Sequence, residues 1–236
     1  MLHAVVHQRT TDRGISGHWG AELARIGAGS STRFLGMGEQ AAWTNTTHDW
    51  SKSVDQEHLQ GIRDHAADYA ATGVLHLVLE ILAYANDEAK AQGLQGHCTV
   101  TFHRDGSISV ADNGRGTDTR RNDLGQLVRK PVMATKDLRF FDQGEAVLPD
   151  GRPRRGMSVV AALSSWLEHT NHRIEAAWTQ RYERGVPVTD LVDVPASART
   201  GTTVRFRPDP ELVAIDHVES RAYTNFAWLT VESTRE

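Results

Sequence analysis

Two short acidic stretches and one basic stretch in this sequence have the residue types that chemistry at a small-molecule site would need. In SISVADNGRGTDT, residues 107–119, an alternating strand-like segment runs into Asp112, followed by Gly114 and Gly116. A carboxylate at a strand end can accept a hydrogen bond from a ligand while glycine lets the backbone turn and come close to it. The same residues also read as an Asx-turn. In LVLEILAYANDEA, residues 77–89, Glu80, Tyr84 and Glu88 recur every fourth position and so share one helix face, with Asp87 beside them. That face is either part of a site or the solvated acidic edge of an amphipathic helix. In DGRPRRGMSVV, residues 150–160, Arg152, Arg154 and Arg155 put guanidinium groups in a loop. They either bind phosphate by side chain or form a solvated basic loop. His3/His7 and His169/His172 have metal-like spacings, but no acidic or cysteine partner sits nearby in sequence, and they read as surface histidines.

The elements that must position these residues follow from periodicity. Residues 53–70 place Leu59, Ile62 and Ala66 at helical spacing, with Ser53 or Asp55 as N-cap. Residues 72–93 form the strongest helix pattern, with Leu75, Val78, Leu79 and Leu82 as its apolar face, Thr72 as cap and Gly93 as stop. Residues 97–113 alternate on either side of Arg104-Asp105-Gly106, the signal of a β-hairpin. A loop-rich stretch over 119–155 precedes a second long helix in GMSVVAALSSWL. Strands then follow near 166–171, 174–183 and in GTTVRFRP, then a short helix over 211–225 and a last strand in FAWLTVES. Helices and a largely antiparallel sheet alternate in blocks, which predicts a two-layer α+β fold. Residues 1–52, rich in Gly, Ser and Thr and without persistent periodicity, read as an N-terminal extension to a domain over 53–236.

Composition narrows the class. With 39% hydrophobic and 24% charged residues, the chain reads as globular, and its net charge of −4 carries no direct nucleic-acid signal. The chain has one cysteine, Cys98, so it lacks an internal disulfide framework and suits a reducing cytoplasm. No apolar run approaches the ~18 residues of a membrane span.

Taken together, LVLEILAYANDEA, VADNGRG, GMSVVAALS, QRYERGVP and TGTTVRFRP resemble, in order and spacing, the ATP-binding domain of the DNA gyrase B subunit and other type IIA topoisomerases, members of the GHKL ATPases. The resemblance runs from about Ser53 to Pro208, with LQGIRDHAADYA similar to the opening helix of that domain. It implies a Bergerat-type fold, a mixed sheet with helices on one face, and it implies roles. Glu80 falls on the general base that polarises the attacking water, and Asp112 on the acceptor of the adenine amino group. Gly114 and Gly116 let the base sit against the backbone, and Thr202 joins the adenine-side hydrogen bonds. Arg115 falls where an arginine pairs with Glu88. Arg154, Arg155 and Gly156 fall in the phosphate lid.

The departures from the family pattern are as specific. Tyr84 stands where the family has the asparagine that ligates Mg²⁺, and a phenol is a poor ligand for that hard ion. Asn86 is rotated by ~200° from that position on a helix. Pro153 removes a lid donor and Arg154 replaces a lid glycine. The chain ends at Glu236, where the domain that supplies a catalytic lysine is expected to begin. The resemblance therefore implies an ATP-binding domain with an intact adenine half, little use for Mg²⁺, no resident metal, and weak or absent hydrolysis in this chain alone. Its implied partners are an adenine nucleotide and either a second copy or a topoisomerase-like partner protein. Two alternatives remain: a regulatory or partner-binding module that kept the fold, and a protein kinase of the same superfamily.

Overall fold

The computed structural model describes residues 54–121, 124–125, 127–129, 131–141, 146–215, 223 and 225–236. The N-terminal extension over 1–52, Ser53 and the His3/His7 pair lie outside the described residues. Helix α1 (Gln56–Asp64) starts at Asp55, whose carboxylate accepts from the His58 N–H at 3.1 Å. Its Leu59 and Ile62, three apart, are buried. A single turn, α2 (Ala66–Tyr69), continues it.

The long helix α3 (Val74–Gln92) ends as its sequence predicts, at Gly93 in a left-handed conformation with φ 66°. Its start differs. Gly73 is the N-cap, and the Thr72 hydroxyl donates 2.6 Å to Asp150 instead. The expected single apolar face is also too simple. Burial extends around the helix from Val74 to Ala83, with Leu75 only partly covered and His76 and Glu80 fully enclosed. The helix packs on the sheet and on the short helix α5 (Met157–Ala162), so its polar residues need internal partners.

The loop-rich stretch contains a two-stranded ribbon, β3 (Thr119–Arg121) with β4 (Leu127–Arg129), and a one-turn helix, α4 (Leu138–Phe141). The second long helix is shorter than its sequence predicts. Helix α5 spans only Met157–Ala162, every residue buried. The Ser164 hydroxyl turns back to the Val160 carbonyl at 2.6 Å, and the Asp209 N–H takes the Leu163 carbonyl at 2.9 Å. Those bonds close the helix and release the chain into β5 (Ser164–His172). The helix expected over 211–225 is a turn over its described start, residues 211–213; residues 216–222 and 224 lie outside the described residues.

The remaining strands are β1 (Gly96–Phe102), β2 (Ile108–Asp112), β6 (Ala177–Glu183), β7 (Val186–Pro187), β8 (Val192–Asp193), β9 (Gly201–Pro208) and β10 (Leu229–Arg235). The main sheet runs β10-β1-β2-β9-β5-β6-β7, with β8 also on β6. β1 and β10 are parallel, Gly96 opposite Leu229, and the other pairs are antiparallel. This is the two-layer α+β architecture with a mixed sheet. Alternate residues Val100, Val110, Leu167, Phe206 and Tyr182 face α1, α3 and α5 in one apolar core. Cys98 belongs to the same core and pairs in register with Asp112; burial, with the Asp112 charge beside it, pushes its thiol up to about 12.

Candidate functional site

β2 and β9 lie side by side, and their ends meet at Asp112 and Thr202. Asp112 Oδ1 accepts from the Gly114 N–H at 2.8 Å and from the Thr202 N–H at 3.3 Å. The carboxyl is thus held by an Asx-turn while it also lines a cavity. Burial pushes it up to about 6, with Glu88 adding to the rise and the Gly114 and Thr202 hydrogen bonds opposing it.

The cavity has a volume of about 360 Å³ and runs from Asp112, Gly116 and Thr202 to Tyr84 and Met157. Ile81, Ala85, Val132, Met133 and Val204 make its apolar walls. A flat ring between such walls, with one buried acceptor at its edge, is the kind of ligand this shape fits. Arg115 and Glu88 close one rim through contacts of 2.5 and 3.1 Å, and the Arg115 hydrogen bonds hold the Glu88 carboxyl below the usual range.

The loop after β2 is fixed by a residue that sequence reading passed over. Asn171, fully buried on β5, accepts from the Thr117 N–H at 2.7 Å through its side-chain oxygen. Its Oδ1 would lie 2.6 Å from a Cβ at Gly116, whose φ is +84°. Glycine at 116 is therefore required by its packing against β5. Next to it, His169 is buried, contrary to its reading as a surface residue, with its ring edge-on to Trp178 at 4.9 Å and its Nε2 3.2 Å from the Thr117 hydroxyl. Both point inward on alternating β5, and a polar residue at an inward strand position is the signal that could have found them.

The other end of the cavity is built differently. The Tyr84 hydroxyl donates to Asp137 at 2.5 Å, and burial first, then the Asp137 charge, raises the phenol well above its ordinary value. Asp137 also accepts 2.8–3.1 Å contacts from the Arg139 guanidinium and the Arg139 N–H. The Arg154 guanidinium lies 4.7 Å from the Tyr84 ring centroid and 4.3 Å from that of Phe140, with Nη1 on Asp87 at 2.8 Å. Arg155 Nη1 donates to the Phe140 carbonyl at 2.9 Å.

Glu80, on the same face as Tyr84, does not line the cavity. Its carboxylate accepts from the backbone N–H groups of Arg155 and Gly156 at 2.5 and 2.9 Å, sealing it beneath the start of α5. His76, one turn earlier, lies between two carboxylates. Its Nδ1 is 2.7 Å from Asp150, and its Nε2 is 3.5 Å from Glu80, long for a hydrogen bond but within ion-pair reach. Burial alone pushes His76 down, but Asp150 and Glu80 outweigh it and raise it to about 9. Asn86 is turned away, accepting from the Trp228 N–H at 3.1 Å, as its helical offset requires.

Of the residues that the sequence singled out, the structure brings Asp112, Gly116 and Thr202 to one cavity. Gly114 lies just behind, where a Cβ would meet Asp112 and Glu88 at 2.9 Å. It does not bring Arg154, Arg155, Gly156 or Glu80 to the cavity wall, because they are tied to one another, to Asp87 and to Phe140. Among the described residues there is no cluster of three or more His, Cys, Asp or Glu suited to a metal.

With the sheet order and the acidic strand end at the cavity described, the sequence relatives can be set beside them. Over much of its length the chain is similar to the B subunits of DNA gyrase and topoisomerase IV. It is 38% identical over 143 residues to the DNA gyrase B subunit of Thermotoga maritima, covering 58% of this chain and 22% of the relative. Against the DNA topoisomerase 4 B subunit of Bacillus subtilis it is 37% identical over 162 residues, 66% of this chain and 25% of the relative. Against the mitochondrial DNA gyrase B subunit of Arabidopsis thaliana it is 34% identical over 208 residues, 79% and 28% respectively. The chain thus spans about a quarter of the length of these relatives. No family model matches it.

Proposed function

We propose that this chain is a GHKL-type adenine-nucleotide (ATP) binding domain that recognises the base through Asp112, Gly116 and Thr202 and hydrolyses nucleotide weakly or not at all. The observation that supports it most is the buried Asp112 carboxyl, held at the cavity edge by the Gly114 and Thr202 N–H groups. An ionised carboxylate so placed accepts from an exocyclic amine, while the apolar walls take the ring faces. Weak hydrolysis follows from Glu80, whose two oxygens are occupied by Arg155 and Gly156, and from Tyr84 at the position where the family binds Mg²⁺. The same two features favour the second reading, a module that regulates a partner without turnover. In either case the domain is taken to comprise residues 53–236, with the partner a second copy or a topoisomerase-like protein. The proposed compartment is the cytoplasm; no helix among the described residues is long and apolar enough to cross a membrane.

The test is calorimetric titration with an adenine nucleotide, with and without Mg²⁺, for the wild type and Asp112→Asn. Asparagine keeps an oxygen for the Gly114 and Thr202 N–H groups but loses the charge, so a stable fold with ~100-fold weaker binding is expected, since a hydrogen bond to a charged group contributes about 1.5–3 kcal/mol. Equal affinity in the two proteins would remove Asp112 from the site and the adenine reading with it.

A further inference from the structure

The adenine reading leaves open what else the ligand can carry, and the charges around the cavity bear on that. The lining has carboxylates at Glu88, Asp112 and Asp118 and guanidinium groups at Arg115 and Arg173. Both cations are engaged. Arg115 is on Glu88, and Arg173 Nη1 donates to the Gly116 carbonyl at 3.0 Å and to Asp118 at 3.1 Å. The imidazole of His169 is turned to Thr117 and Trp178.

Away from Asp112, the cavity ends on Tyr84, Met133 and Met157. The phenol O–H donates its hydrogen bond to Asp137. Behind it, the backbone donors that precede α5 point at Glu80, and Pro153 has none to offer. Arg154 does not reach the cavity either. Its Nε and Nη2 are buried without a hydrogen-bond partner, and its guanidinium lies against the Tyr84 and Phe140 rings. Among the described residues, an extended polyphosphate entering here would meet apolar side chains and carboxylates with few donors left to it, and desolvated charge needs matched partners.

We infer, on the basis of the adenine reading, that this site takes adenosine or its monophosphate in preference to ATP. The cavity accommodates a base and sugar, and among the described residues it offers a longer phosphate tail few partners.

The experiment is a calorimetric series of adenosine, AMP, ADP and ATP on the wild-type chain, with and without Mg²⁺. Adenosine and AMP are expected to bind within about threefold of each other and ATP at least tenfold more weakly, a gap of about 1.4 kcal/mol or more. ATP binding as tightly as AMP, or more tightly, would overturn the inference and assign the two unpaired Arg154 nitrogens, Nε and Nη2, to phosphate. If adenosine itself fails to bind, the adenine reading falls, and the inference with it; that outcome differs visibly from tight ATP binding. A Tyr84→Asn, Arg154→Gly double variant, checked for folding by circular dichroism, is expected to bring ATP within threefold of AMP. A gap unchanged from wild type in a folded variant would overturn the assignment of exclusion to this wall. The wild-type series decides the preference even where the double variant does not fold.

Discussion

The two ends of the cavity are held together by opposite means. At the Asp112 end, strand register and backbone N–H groups from β9 and from the turn after β2 fix a carboxyl that still faces space. At the Tyr84 end, side chains satisfy one another: Tyr84 on Asp137, Arg139 on Asp137, and Arg154 on Asp87. A carboxyl that backbone N–H groups hold through one oxygen, as at Asp112, still lines the cavity, whereas groups that have found side-chain partners are costly to recruit. The first end is poised for recognition, and the second is closed on itself.

The largest expected effect lies at the closed end. Replacing His76 with Gln removes a cation between buried Asp150 and Glu80, and breaking such an arrangement typically destabilises by about 3 kcal/mol. The sign with pH follows from the raised pKa. His76 stabilises the fold fully below pH 6.5, and that contribution is lost as pH rises through about 9. Denaturant melts of the wild type should therefore weaken between pH 7 and 9, and the same melts of His76→Gln should lack this component. A variant as stable as wild type at pH 7 would show that the enclosed ion pairs contribute little.

At the open end, Gly116→Ala is expected to destabilise by about 2 kcal/mol, since φ is +84° and the new methyl meets Asn171 Oδ1. Thermal denaturation measures it, and Asn171→Ala in the same background should restore part of the loss. Next in size is the pH dependence of adenosine binding. With Asp112 raised to about 6, the ionised acceptor is present above that pH and is lost as pH falls through it. Affinity should be flat from pH 8 to 7 and fall by up to about tenfold per unit below 6, and Asp112→Asn should lack this fall. The smallest effect belongs to Arg115→Gln. Its pair with Glu88 sits at the exposed rim, and a change of under about 1 kcal/mol in melting or binding is expected.

The open end was also the more legible one. Asp112 sits at the end of a strand that alternates cleanly before two glycines, whereas Thr202 is joined to it in the sequence only by the resemblance of VADNGRG and TGTTVRFRP to the family pattern. Asn171 and His169 were missed because their partners lie more than fifty residues away, on the loop after β2. The closed end resisted for a related reason. Helical spacing puts His76, Glu80 and Tyr84 on one face, but nothing local signals that Asp150 and Asp137 return to meet them. The short α5 was misread because a wholly apolar run such as VVAAL has no period to show where a helix yields to a strand.

The Cys98 thiol, enclosed in the core and opposite Asp112 across the β1–β2 ladder, amounts to a built-in clock. A thiol reagent in solution meets it only in those molecules whose ladder has parted, because buried thiols are inert and their exposure follows local opening. It is the chain's single cysteine, so one labelling rate, followed under native conditions, times how often the strands beneath the Asp112 corner come apart.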